Sequence, residues 1–105
     1  FSNNGAFQDK FLASAARQGE KMWPMPLDDE FKDQIKTPFA DVANVGGRAG
    51  GSITAALFLR EFAEDTPWIH LDIAGTASYD DGRPFAAKGA AGVAVRSLVD
   101  LALNW

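Results

Sequence analysis

The sequence predicts an α/β fold: a three-layer-like fragment with one parallel βαβ unit and flanking helices. Three observations predict it. Apolar residues recur at helical spacing near both ends of the chain and again after residue 52. Two short runs, 39–45 and 68–74, alternate in the manner of strands. The stretch between them is long enough for the right-handed crossover that parallel strands require. With 105 residues, 47% of them hydrophobic, the chain can hold one small core, so residues 1–105 are expected to form a single-domain piece.

The elements follow in order. Residues 4–21 place Phe7, Phe11, Leu12, Ala15 and Ala16 on one helical stripe, with Asn3 or Asn4 as cap and Gly19 near the end. Pro24 and Pro26 forbid helix across the next stretch. Residues 27–36 are acidic, carry Phe31 and Ile35 four apart, and predict a short surface helix capped by Asp28 or Asp29. The run 39–45 is the first expected strand and leads into Gly46-Gly47-Arg48-Ala49-Gly50-Gly51, too glycine-rich for a regular element. Ser52 is expected to cap a helix built on Ile53, Ala56, Leu57, Leu59 and Phe62, stopped by Asp65-Thr66-Pro67. Residues 68–74 form the stronger strand candidate, with Ile69, Leu71 and Ile73 on one side. Residues 75–92 read as loop, with a turn at Asp80-Asp81-Gly82 and a break at Lys88-Gly89. Residues 93–103 close the chain as a helix through Val95, Leu98, Val99 and Ala102.

Composition excludes several classes of function. A net charge of −4 with no basic run speaks against nucleic acid and anionic membrane as partners. The absence of cysteine removes disulfides, thiolate zinc sites and thiol nucleophiles. No apolar run approaches the roughly 18 residues of a membrane span. The start, Phe1-Ser2-Asn3-Asn4, has neither an initiating Met nor a basic leader and reads as a chain begun in the middle.

Few residues mark chemistry by themselves. The glycine loop before Ser52 suits either an anion held by backbone N–H groups or a tight turn, and it matches neither a Walker A nor a dinucleotide pattern. His70 and Asp72, two apart on a strand, share a face and include two common metal-ligand types. Two ligands do not make a site, and there is no second histidine, so a structural polar pair is expected. Asp28-Asp29-Glu30 and Asp80-Asp81 read as solvated acids rather than an acid/base pair. Trp23, Trp68 and Trp105 lack interleaved basic residues and read as packing or interface positions. No G-x-S-x-G elbow marks a nucleophile.

Five blocks taken in order are more specific. They are Trp23-Pro24-Met25-Pro26-Leu27, Ala40-Asp41-Val42-Ala43-Asn44-Val45-Gly46-Gly47, Ser52-Ile53-Thr54-Ala55-Ala56-Leu57-Phe58-Leu59, Trp68-Ile69-His70-Leu71-Asp72-Ile73-Ala74-Gly75-Thr76-Ala77, and Lys88-Gly89-Ala90-Ala91-Gly92 followed by Val95-Arg96. Together they resemble the C-terminal part of the catalytic domain of the leucyl (cytosol) aminopeptidase family, over essentially the whole chain. One departure is local: that family usually carries Thr where this chain has Ala91.

The resemblance implies a metallopeptidase that removes N-terminal residues from peptides. It implies two divalent ions (zinc, manganese or magnesium) in the complete enzyme, a cytoplasmic location and a homohexamer. The family's metal ligands, catalytic lysine and Asn-Thr-Asp-Ala-Glu-Gly-Arg stretch precede the matching part, and none of those motifs occurs here. The chain is therefore expected to carry no catalytic residue and no metal ligand, to be inactive alone, and to need the remainder of the catalytic domain as partner. By the same resemblance Val45 lines the pocket for the residue after the scissile bond, and Ala74 and Ala77 border the pocket for the N-terminal side chain. The alternative is a free-standing, non-catalytic domain acting in oligomerisation or binding.

Overall fold

The computed structural model describes all 105 residues. Three α-helices, a short 3₁₀ segment and one small two-stranded sheet make up its regular structure: α1 (Gly5–Arg17), the 3₁₀ segment (Asp29–Ile35), α2 (Gly51–Ala63), β1 (Ser78–Tyr79), β2 (Gly89–Ala90) and α3 (Val95–Leu103). The chain divides into two compact units, Phe1–Gln8 with Trp23–His70, and Asp9–Met22 with Leu71–Trp105.

In the first unit, the Asn4 Oδ1 accepts the Phe7 N–H at 2.9 Å, which satisfies one of the unpaired donors at the start of α1. Asp28 does the same for the 3₁₀ segment by accepting from Glu30 N–H at 3.0 Å. The core gathers Phe1, Ile35, Ile53, Ala56 and Leu57, with Leu27, Phe31, Val42, Phe58 and Trp68 packed around it. Lys32 pairs with Glu61 at 2.9 Å, and Arg60 with Asp29, tying the rims of α2 and the 3₁₀ segment together. Ser52 does not cap α2. The cap position is Gly50, whose left-handed backbone (φ 67°) supplies the turn, and no side chain bonds there.

In the second unit, α1 ends in a Schellman motif: Glu20 N–H reaches Ala15 O at 2.9 Å and Gly19 N–H reaches Ala16 O at 3.1 Å, with Gly19 at φ 68°. Phe11, Ser14 and Ala15 are buried on α1, as are Ala94 and Ser97 at the start of α3. The apolar stripe expected on the last helix faces outward instead. Val95, Leu98 and Val99 are 57%, 49% and 54% exposed, Ala102 is exposed too, and the face of α3 that is buried carries Ser97.

The expected parallel βαβ unit is absent. Neither 39–45 nor 68–74 is a strand, and the one sheet is the antiparallel pair β1–β2, with Ser78 opposite Ala90 and Tyr79 opposite Gly89. The α/β character therefore rests on three helices and this small sheet. Alternation of residue types reports an extended segment with two unlike sides, and it carries no information about which strand lies alongside. The backbone of 68–70 is engaged by the chain's first residues: His70 N–H donates to Phe1 O at 2.9 Å, and Ser2 bridges Ile69 antiparallel. In 39–45 the chain bends, Ala43 N–H turns back to Ile35 O at 2.8 Å, and Phe39 is 96% exposed.

Candidate functional site

The stretch from Asp72 to Gly92 concentrates the predicted site residues of the second unit. The Asp72 Oδ1 accepts the Ala74 N–H at 3.0 Å, an Asx-turn of the sort a short acidic side chain makes with backbone two residues on. Thr76 N–H then closes on Ile73 O at 2.9 Å. Ala91 N–H donates to Ala77 O at 2.8 Å, extending the β1–β2 ladder by one more bond. Ala74 and Ala77 are thus carried on one turn, both exposed, between an Asx-turn and a ladder. The hairpin tip reverses at Arg83 and Ala86, which exchange both backbone hydrogen bonds at 2.8 and 3.2 Å. Behind it Phe85 meets Tyr79 edge-on at 6.2 Å, and the Arg83 guanidinium lies 5.7 Å from the Tyr79 ring.

The same unit holds a polar network that the sequence reading missed. The Glu20 carboxylate accepts the Ala94 N–H at 2.9 Å and the Ser97 hydroxyl, so a negative charge sits at the N-terminus of α3. Desolvation is the largest single influence on this carboxyl and pushes its pKa up. The Ser97 and Ala94 hydrogen bonds and the Arg96 charge together outweigh it, and the pKa settles below its ordinary value. One turn further on, Asp100 takes Arg17 Nε at 3.0 Å and Gln18 Nε2 at 3.1 Å. The Arg17 hydrogen bond is the main reason its pKa is lowered. No sequence signal announces Glu20 and Ser97 as partners, since they stand 77 residues apart. An open cleft of about 1110 Å³ is lined by residues including Glu20, Lys21, Thr76, Tyr79, Arg83 and Arg96, but not by Ala74 or Ala77.

Val45 belongs to the first unit, 72% exposed, at the entry to the glycine loop. That loop is closely packed. A Cβ at Gly46 would meet the Thr54 side chain at 3.1 Å, one at Gly47 the Gln34 Oε1 at 2.9 Å, and one at Gly50 the Phe31 ring at 2.5 Å. Close approach to neighbouring side chains accounts for Gly50 and Gly46 without an anion, whereas Gly51 has nothing within 4 Å of its would-be Cβ. His70 stacks on Trp68 with ring centroids 6.0 Å apart and 7° between planes, and Phe1 lies 6.0 Å on. Asp72 bonds to Ala74 N–H in the second unit. No group of three or more His, Cys, Asp or Glu is placed to hold a metal. The donor set of this chain does not fit a divalent pair.

Three helices and one small antiparallel sheet give the chain an α/β character. The catalytic-domain profile of the cytosol aminopeptidase family matches residues 1–99, and the chain belongs to that family. A probable cytosol aminopeptidase of Solibacter usitatus (strain Ellin6076) is 57% identical over 105 residues, which are 100% of this chain and 22% of that protein. One of Koribacter versatilis (strain Ellin345) is 52% identical over 101 residues, 96% of this chain and 20% of the relative. Among solved structures, a mutant of tomato leucine aminopeptidase superposes with a TM-score of 0.89 at 35% identity, covering 100% of this chain and 20% of that one. The bottromycin maturation enzyme BotP in complex with Mn gives 0.88 at 36% identity, covering 100% and 24%. The chain therefore spans about a fifth of the length of the curated relatives it matches.

Proposed function

We propose that this chain is the part of a dinuclear-metal leucyl aminopeptidase that shapes the substrate pocket, in an enzyme that removes N-terminal residues from peptides. Membership of the cytosol aminopeptidase family across residues 1–99 is the observation that carries the reading. In the complete enzyme two divalent ions, zinc, manganese or magnesium, supply the Lewis acid and the activated water such hydrolases use. The manganese of BotP supports that choice of metal class. The ligands for those ions, and the catalytic lysine and arginine, come from outside these 105 residues. This chain's own work is binding. Val45 borders the pocket for the residue after the scissile bond, while Ala74 and Ala77 leave room for a sizeable apolar side chain at the N-terminal position.

The remainder of the catalytic domain is the chain's first partner. Exposed apolar residues in each unit, Trp23 and Phe39 in the first and Val95, Val99 and Leu103 in the second, support this, since monomers seldom leave so much apolar surface open. The assembled enzyme is a cytoplasmic homohexamer in this reading. The test is Ala77→Phe in the full-length protein, assayed on leucyl and alanyl substrates. Filling the pocket lowers kcat/KM for leucine by roughly tenfold or more relative to alanine, at about 1–3 kcal/mol per methylene accommodated. Equal losses on both substrates would remove Ala77 from the pocket. A full-length protein without aminopeptidase activity would return the reading to a non-catalytic binding or oligomerisation domain.

A further inference from the structure

The stretch that carries Ala74 and Ala77 has almost nothing to hold it except hydrogen bonds. Residues 72–78 are all exposed, Ile73 at 39%, so side-chain packing holds their backbone only weakly. Three bonds do: Asp72 Oδ1 to Ala74 N–H at 3.0 Å, Thr76 N–H to Ile73 O at 2.9 Å, and Ala91 N–H to Ala77 O at 2.8 Å. Two of these join backbone to backbone and are independent of side-chain identity. The first depends on a single side chain, and it sits at the point where the chain enters the turn.

We propose that Asp72 is a positioning residue for the pocket wall formed by Ala74 and Ala77, acting through its Asx-turn and not through charge, metal or substrate. The proposal rests on the pocket reading above for its functional consequence. A short side chain with an oxygen on its γ-carbon closes this turn, and Asn presents the same oxygen as Asp. Ala presents none and leaves the Ala74 amide to water. The turn then samples other geometries, and the wall between Ala74 and Ala77 loses its set shape. A large N-terminal side chain depends on that wall, whereas a methyl group barely reaches it.

The experiment compares Asp72→Ala and Asp72→Asn with wild type in the full-length protein, on leucyl and alanyl substrates, with amide hydrogen exchange read at Ala74. Asp72→Ala raises KM for the leucyl substrate and lowers its kcat/KM by roughly two- to tenfold, the range expected for one exposed hydrogen bond. It changes the alanyl substrate less, and it speeds exchange at Ala74. Asp72→Asn restores both the leucine-to-alanine ratio and the protection of Ala74. Loss of protection in both variants would overturn the Asx-turn role, as would unchanged protection in Asp72→Ala. Equal loss on both substrates would show general destabilisation instead of positioning and overturn the proposal. If Ala77→Phe proves selective while Asp72→Ala leaves the ratio unchanged, this inference fails and the pocket reading stands. If Ala77→Phe is unselective, the pocket reading fails and takes the functional half of the inference with it.

Discussion

Replacing Gly50 by alanine tests whether the glycine loop is there for close packing. Gly50 occupies the left-handed region at φ 67°, ψ 30°, where an L side chain costs about 1–2 kcal/mol. Its added Cβ would stand 2.5 Å from Phe31 Cε1 and 2.9 Å from Phe31 Cδ1, closer than carbon atoms approach without displacement. That ring is packed against the core of Ile35, Ile53 and Leu57, so moving it disturbs more than a free surface side chain would. Overpacking of this sort costs about 1–3 kcal/mol. The sum is about 2–5 kcal/mol, a large share of a small domain's stability. Gly51 is the internal control. It lies in the first turn of α2 with nothing within 4 Å of its would-be Cβ, so Gly51→Ala is neutral or gains about 0.4–1 kcal/mol. Urea denaturation of the chain, followed by tryptophan fluorescence, separates the two variants. Equal midpoints for Gly50→Ala and Gly51→Ala would refute the packing argument.

Two further outcomes follow from the same structure. Leu57 is fully buried, so Leu57→Ala lowers unfolding free energy by about 2–5 kcal/mol, while Phe39→Ala at a 96% exposed position changes it by less than about 0.5 kcal/mol; denaturant midpoints check both. Glu20, Asp29 and Asp100 all have lowered pKa values in the folded chain, so the unfolded chain binds their protons first as pH falls. Their contribution is fully present above the ordinary carboxylate range near pH 4 and is lost as pH falls through the lowered folded values. Glu20→Gln flattens the acid limb of a stability-against-pH curve, and an unchanged limb would contradict the role given to the Ser97 and Ala94 bonds.

Local chemistry was legible where one or two residues decide it. Asn4 and Gly19 mark the ends of α1 because a cap oxygen and a left-handed glycine act within four residues of their partners. Asp28 before the 3₁₀ segment is the same case. Ser52 misled because a hydroxyl next to a helix start resembles a cap, whereas the left-handed Gly50 already makes the turn. The alternation in 39–45 and 68–74 was real as an extended pattern, yet pairing depends on neighbours that sequence spacing does not name. The stripe on α3 is the same lesson in a helix. Val95, Leu98, Val99 and Ala102 have helical spacing, but periodicity does not say what covers them, and all four are exposed. The β1–β2 pair was read as loop because a two-residue ladder is too short to alternate. The glycine loop allows two readings from sequence, an anion site or a tight turn, and its close contacts with Thr54, Gln34 and Phe31 follow from neither. The pocket roles proposed for Val45, Ala74 and Ala77 rest on family resemblance alone, because three small apolar residues carry no chemical signature of their own. Sequence spacing pairs Asp72 with His70, whereas in the folded chain Asp72 takes the Ala74 amide as partner.

The proposed function divides the labour: this chain supplies pocket wall, and the metal centre lies elsewhere in the full-length protein. Titration with manganese, read as ions bound per protomer alongside hydrolysis of a leucyl amide, tests it most directly when the full-length protein and the 105-residue chain are run side by side. The expected result is two ions per protomer and hydrolysis in the full-length protein, with no stoichiometric ion and no hydrolysis for the chain alone. Tight stoichiometric manganese on the isolated chain, lost in His70→Ala or Asp72→Ala, would contradict it.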